Sequence, residues 1–388
     1  MLHLDTAACG VPSRATLAAL TAHVTAEAVR GGYVAEAAAT PVLEAAAGDL
    51  LYLLGAPPGW GTSDVAWVGS AFDAVALVVG HWSLPRGARV GVLASDYGPH
   101  RSLLLERLAP LGGTLVELPA DPVTGVAEPS AWPAALDGLA LVSVCQVASH
   151  DGAEQPAAEL AAACRAAGVP LLLDVAQALG QVPVGRGDSA PADVVVGTSR
   201  KWLHGPRGVG FLAASPAVVA ALRATTQRPT PGWDGRTADT ARCAADLTTG
   251  EAPVAARVGL ARALAELRAA GPERVHRRLA AAGALLAGLL AEIPGWRVSP
   301  GTALAAGQVT LLVPEGFGPG DVAAVRAALL REGILASAIA PERCPPRLRR
   351  PVLRFSPAVG VTADELARVP AALHRATLAA VAAGGVRV

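Results

Sequence analysis

The 388-residue chain is short of charge, of aromatics and of any cysteine pattern, and each shortage closes off a class of protein. Charged residues make up 16% of it, with 32 Lys+Arg set against 32 Asp+Glu. A neutral chain without a Lys/Arg-rich run lacks the electrostatic footprint of a nucleic-acid binder, so no nucleic-acid partner is expected. The five cysteines (Cys9, Cys145, Cys164, Cys243 and Cys344) are an odd set without CxxC or CxxH spacing. That argues against a disulfide framework and a zinc site, so no metal is expected, and a reducing cytoplasm is the expected compartment. No apolar run reaches the roughly 18 residues of a bilayer span without interruption by charge, Gly or Pro, so no membrane partner is expected. The first residues, MLHLDTAACG, carry Asp5 inside the first apolar stretch and have no basic start, unlike a secretory leader. Aromatics are only 4% of a chain that is 52% hydrophobic, which leaves Ala, Leu and Val to build a large core.

Two or three domains are expected at this length, on the basis of one per about 150 residues. The middle of the chain alternates short apolar runs with Ala/Leu-rich helical stretches, the pattern of a parallel sheet covered by helices. Strands are predicted at Arg89–Ala94, Thr114–Leu118, Leu139–Cys145, Pro170–Val175, Asp193–Thr198 and Val209–Ala213. Runs such as LLLDV and VVVGT are apolar throughout, which fits burial on both faces. Helices are predicted at Ser102–Leu111 and Pro156–Ala167, the second stopping at Gly168. After about Gly250 the texture changes to long helices at Val254–Ala270 and Pro272–Glu292, then a strand near Gln308–Val313, a helix near Gly320–Glu332 and a strand near Val352–Ser356. The expected division is a large domain over residues 16–250 and a smaller α+β domain from residues 1–15 and 251–388. Arg228–Arg236 and Ala340–Pro351 read as loops.

The strongest chemical signal is LLLDVAQALG at 171–180 followed by VVVGTSRKWLHGPRGVGFL at 194–212. Asp174 ends one buried strand, Gln177 follows it by three residues, and Lys201 follows the next strand. A carboxylate and a lysine at the carboxyl edge of a sheet suit a crevice that holds a cofactor; a plain strand-end salt bridge between them is the alternative. With LDTAACGVPS at the start, TTGEAPVAARVGL at 248–260 and VLRFSPAVGVTADEL at 352–366, this string resembles the class V aminotransferase and cysteine desulfurase group of pyridoxal-phosphate enzymes. The resemblance spans nearly the whole chain. It implies an α/β fold of type I, with a mostly parallel central sheet, helices on both faces and a smaller α+β domain. It also implies pyridoxal 5'-phosphate as cofactor, a small amino-acid substrate and a homodimer.

The resemblance assigns roles residue by residue. Lys201 attaches the cofactor through its neutral amine, whose pKa is lowered by desolvation. Asp174 pairs with the ring nitrogen, and Gln177 donates to the phenolic oxygen. The phosphate falls to Gly69, Ser70 and Ala71 at the start of a helix, where amides and dipole suit a dianion, with Thr198 and Arg200 beside Lys201. In SDYGPH at 95–100, Tyr97 is the best match for the ring stacked on the cofactor and His100 the second. Arg354 matches the arginine that grips the substrate carboxylate, since its planar fork suits that group and a charge inside an apolar strand needs a partner. Trp202 reads as packing, and Arg347, Arg349 and Arg350 as a solvated loop.

Two departures from the group bear on the reaction. Many relatives have Gly-Thr-Pro where this chain has Gly250-Glu251-Ala252-Pro253, which removes the threonine expected to reach a neighbouring subunit's phosphate. Cys344 lies on a loop ten residues before Arg354, where a desulfurase keeps its nucleophile, but ERCPPRLRR lacks the desulfurase context. GGYVAEAAATPVL at 31–43, with LDTAACGVPS, SDYGPH and GTSRKWLHGPRGVG, is most similar to the carbon–sulfur lyases of the group. That implies β-elimination from a histidine-derived cysteine sulfoxide, with Tyr33 and Tyr97 shaping the pocket for a trimethylammonium group. Desulfuration through Cys344, epimerisation and transamination are the alternatives.

Overall fold

A computed structural model of the chain describes residues 1–185, 191–222, 240–302, 306–343 and 350–384. Among them the strands run, in chain order, β1 (Leu2–His3), β2 (Val65–Val68), β3 (Arg89–Val92), β4 (Thr114–Glu117), β5 (Leu141–Cys145), β6 (Leu171–Asp174), β7 (Val194–Thr198), β8 (Gly210–Ala214), β9 (Arg297–Val298), β10 (Val309–Leu312), β11 (Ile334–Leu335), β12 (Ser337–Ile339) and β13 (Val352–Phe355). The main sheet has seven strands in the order β2-β8-β7-β6-β5-β3-β4. Neighbours from β4 through β7 pair in parallel, and β8 lies antiparallel between β7 and β2. Strands β5 to β8 are buried along their whole length, which is why their sequences are apolar runs instead of alternating ones.

The strand order turns back between β3 and β5, since β4 lies on one side of β3 and β5 on the other. In an open α/β sheet the crevice beyond the carboxyl ends of the strands at such a point is where ligands bind. Every residue assigned to cofactor chemistry on β6 and β7 leaves the sheet at that edge. Two apolar layers cover the sheet. One gathers Leu50, Leu54, Trp67, Trp132, Leu173 and Phe211, and the other Val75, Val78, Leu104, Leu108, Leu172 and Leu212. At roughly 1.5–3 kcal/mol per fully buried Val, Leu or Phe side chain, these layers dominate the favourable side of folding.

The helix Ala71–His81 starts at Ser70, whose hydroxyl accepts from the Asp73 amide at 3.1 Å, a capping arrangement that defines the helix start. The helix Ala157–Ala167 ends at Gly168, which takes the left-handed conformation that only glycine adopts without cost. Long helices Arg14–Arg30 and Gly32–Leu54 precede the sheet. Gly32–Leu54 has the length and apolarity to cross a bilayer, yet it carries Glu36, Glu44 and Asp49 and turns Ala39, Ala46, Leu50 and Leu54 into the core.

A second, antiparallel sheet in the order β12-β13-β10-β9 forms the smaller layer, and β1 pairs in parallel with β11 as a separate two-stranded sheet. Leu311, Val325, Leu329, Leu353, Phe355 and Leu373 form its core. The helix Val254–Ala270, placed with the smaller unit on sequence grounds, packs on the two N-terminal helices, and its Leu260 and Leu264 join the core of the large sheet.

Candidate active site

Four strand ends supply the site. After β3 comes Leu93–His100, after β5 Gln146–Ser149, after β6 Val175–Gln177, and after β7 Ser199–Lys201. Ser70, Ala71, Tyr97, His100, Cys145, Ser149, Asp174, Gln177, Thr198, Arg200 and Lys201 line a single cavity of about 130 Å³. Of the residues expected to bind the cofactor, only Gly69 is absent from that lining, and it directly precedes Ser70.

Asp174 is buried and held from several sides. One carboxylate oxygen accepts from the Ala176 amide at 2.7 Å. The other lies 3.3 Å from His100 Nδ1 and accepts from the Cys145 thiol at 3.5 Å. Burial pushes the thiol well up, with the Asp174 and Asp96 charges adding to it, so Cys145 stays a protonated donor. His100 is lowered chiefly by burial and secondarily by Lys201, while Asp174 pulls it the other way. Its ring stacks on Phe72 with centroids 6.0 Å apart and meets Tyr97 edge-on at 5.1 Å. Both aromatic candidates of SDYGPH therefore reach the cavity, and His100 is the one in contact with Asp174.

Lys201 has its amine brought down from 10.5 to about 8. Desolvation is the main cause, Arg200 and Arg354 add to it, and Asp174 and Cys145 oppose it. Its loop is clasped by the N-terminal segment. The Gly10 amide donates to the Arg200 carbonyl at 2.7 Å, and the Arg200 guanidinium donates to the Ala8 carbonyl. A Cβ on Gly10 would stand 2.4 Å from the Lys201 carbonyl oxygen, so only glycine permits this approach.

The phosphate end is built the same way. Gly210 on β8 sits against the backbone of Ser70, where a Cβ would come within 2.5 Å of the Ser70 carbonyl carbon. That contact seats the first turn of Ala71–His81 on the sheet with its free amides toward the cavity.

Arg354, on β13, is 5% exposed. It donates to the Ser149 carbonyl and to Ser337 Oγ at 3.3 Å, and lies 3.8 Å from Asp5. The partner that burial demanded is thus partly met within the chain, so burial alone does not argue for a ligand. The Ser149 contact nevertheless brings the guanidinium to the cavity wall. Tyr33 is not brought there: it begins the helix Gly32–Leu54 and is 84% exposed. Glu251 is exposed, and Arg350 lies on the surface. Cys344, Arg347 and Arg349 lie outside the described residues.

Asp96, Cys145 and Ser149 were not singled out from sequence. Asp96 accepts from the Leu93 and Cys145 amides, both at 2.7 Å, and burial raises it to about 7. It ties the end of β3 to the end of β5 just behind Asp174. One signal was available from counting alone. The chain holds one lysine, Lys201, against 31 arginines. Arginine serves every other cationic position, but it cannot lose its proton and act as an amine nucleophile.

Such a lysine, facing a buried carboxylate at a switch-point crevice with a helix N-terminus beside it, defines a pyridoxal-phosphate enzyme of fold type I. The donors match the cofactor's parts: an amine for its aldehyde, Asp174 for its ring nitrogen, Gln177 for its phenolic oxygen, and the Ser70–Ala71 turn with Thr198 and Arg200 for its phosphate. The family profile described as aminotransferase class-V matches residues 3–369, and the chain belongs to that family. It is 39% identical over 380 residues to a probable hercynylcysteine sulfoxide lyase of Mycobacterium tuberculosis, covering 97% of this chain and 91% of that protein. It is 32% identical over 160 residues to an isopenicillin N epimerase of Streptomyces clavuligerus, covering 39% of each. The fold is shared with the cysteine desulfurase CsdA of Escherichia coli, with a TM-score of 0.82 at 20% identity over 98% of this chain and 94% of that one. It is shared equally with the cystine C–S lyase C-DES, with a TM-score of 0.84 at 18% identity over 96% and 97%.

Proposed function

We propose that the chain is a carbon–sulfur lyase that carries out β-elimination on hercynylcysteine sulfoxide, giving pyruvate, ammonia and, after reduction, ergothioneine. The observation that carries this reading is the 39% identity, over nearly the full length of both chains, to a protein described as that lyase. Pyridoxal phosphate, when bound, supplies the electron sink for the negative charge that develops at the substrate Cα. The protein's own groups do the rest. Lys201, with an amine near 8, is a base of suitable strength to take the Cα proton at neutral pH. Asp174, fixed by Ala176, Cys145 and His100, would pair its carboxylate with the ring nitrogen. Arg354 exchanges part of its contact with Asp5 and Ser337 for the substrate carboxylate.

Elimination from a sulfoxide breaks the Cβ–S bond. The electron pair left at Cα forms the Cα=Cβ double bond of a released enamine, which hydrolyses to pyruvate and ammonia. The imidazole half leaves as a sulfenic acid, and a thiol reductant converts it to the thione. The reading includes a cytoplasmic homodimer. In such a dimer Tyr33, exposed on the protomer, would serve the partner's site.

The test offers purified, cofactor-loaded protein hercynylcysteine sulfoxide or cysteine, with thiol present. Pyruvate from the sulfoxide alone, unchanged in Cys344→Ala, is the expected result. Alanine and protein-bound persulfide from cysteine, lost in Cys344→Ala, would make the chain a desulfurase instead.

A further inference from the structure

We propose that Trp202, the residue after the cofactor lysine, is a positioning residue that fixes which way round the Gln177 amide stands. The proposal rests on Gln177 holding the cofactor's phenolic oxygen. A glutamine amide presents an acceptor on one side and two donor hydrogens on the other, and the two ends have almost the same shape. An amide that serves as a donor must therefore be prevented from turning over. Here the prevention is visible. The Trp202 indole N–H donates to Gln177 Oε1 at 2.9 Å, and Gln177 Nε2 donates to the Ala7 carbonyl at 2.9 Å. An indole N–H can only donate, and a carbonyl can only accept. Both contacts favour the same orientation and hold it together, and turning the amide over would break both. One Nε2 hydrogen remains for the cavity that Gln177 lines.

The clamp is itself held rigidly. Trp202 is 2% exposed and packs with Ala7, Val275 and Leu279. Its ring meets Gly307 so closely that a Cβ there would lie 3.3 Å from it. Ala7 is anchored from the other side, its amide donating to Ser356 Oγ at 3.0 Å, two residues beyond Arg354. A phenylalanine at 202 would keep most of the packing and lose the indole donor to Gln177 Oε1, one of the two contacts that hold the orientation. Once turned, the amide presents its oxygen to the phenolic oxygen. A donor there stabilises the phenolate and weakens its hold on the proton shared with the lysine-linked nitrogen. Losing that donor therefore raises the pH at which the proton leaves.

The test is the pH midpoint of the cofactor's visible absorption band in loaded wild type, Gln177→Ala, Trp202→Phe and the double variant, with thermal unfolding alongside. A net hydrogen bond to a charged group corresponds to a midpoint shift of about one to two pH units. The expected result is an upward shift of about that size in each single variant, with no further shift in the double. If Gln177→Ala moves the midpoint and Trp202→Phe does not, the proposal is overturned and the assignment of Gln177 stands. If both move it and the shifts add, Trp202 acts by another route and the proposal is again overturned. If neither moves it, the assignment of Gln177 fails and takes the proposal with it. Should Trp202→Phe not fold, β-(3-benzothienyl)alanine inserted at position 202 keeps the indole's shape without its N–H and gives the same reading.

Discussion

Because Lys201 is the only lysine in the chain, the titration of the catalytic amine can be read by ordinary amine chemistry. In the protein without cofactor, burial with Arg200 and Arg354 lowers this amine from 10.5 to about 8. A shift of about 2.5 units is worth about 3 kcal/mol in favour of the neutral form. At pH 7 roughly one amine in ten is then neutral, against about three in ten thousand for an unshifted lysine, a gain of about 300-fold in the reactive species. Trace acylation of the apoprotein between pH 6 and 10, quantified on the Lys201 peptide by mass spectrometry, gives the midpoint directly. The chain's terminal amine is resolved on its own peptide. A midpoint near 8 is expected, and Asp174→Asn should lower it further, because the Asp174 carboxylate is the main group holding the proton on. A midpoint above about 9.5, or an upward move in Asp174→Asn, would refute the electrostatic account of the site.

Further predictions follow from the same geometry. Arg354→Lys keeps the charge and loses the bidentate fork, so KM for the amino-acid substrate should rise about 10- to 100-fold; an unchanged KM in steady-state kinetics would remove Arg354 from substrate binding. Asp96 titrates near 7 when folded and near 3.8 when unfolded, so its contribution to stability is full below about pH 4 and lost as the pH rises through 7. Asp96→Asn should therefore gain on wild type by about 2–3 kcal/mol between pH 5 and pH 8 in urea unfolding, and parallel pH curves would contradict this. Gly210→Ala forces a Cβ into the Ser70 backbone, and cofactor affinity should fall at least tenfold by fluorescence titration, with little change in the far-UV spectrum. Lys201→Ala should abolish the visible band of the loaded protein; a persistent band would place the attachment elsewhere.

The parts of the fold that were legible in the sequence are those where burial is one-dimensional. LLLDV and VVVGT are buried on both faces, so their apolar runs announce β6 and β7, and the polar residue ending each run lands on the carboxyl edge where the cofactor belongs. The four residues VAWV of β2 are as apolar, but too short to stand out from the Ala/Leu background. The helices from Arg14 to Leu54 lack a clear polar–apolar alternation, because their small alanines pack without a marked stripe. What sequence could not show is the meeting of distant segments. Asp96, Cys145 and Asp174 come from three strand ends, and only the parallel order β3-β5-β6 makes them neighbours. Trp202 read as packing and does pack; its hydrogen bond to Gln177 stands beside a second one from Gln177 to Ala7, 170 residues away in the chain. Tyr33 was assigned to the pocket by likeness to relatives, whereas the protomer leaves it on the surface.

The most direct test of the lyase assignment is the stoichiometry of pyruvate to sulfoxide consumed by the loaded protein with excess thiol, in wild type and in Lys201→Ala. The account predicts one pyruvate and one thiol-imidazole per sulfoxide in wild type and neither in the variant. Sulfoxide left intact by a wild-type protein that carries its visible cofactor band would contradict it.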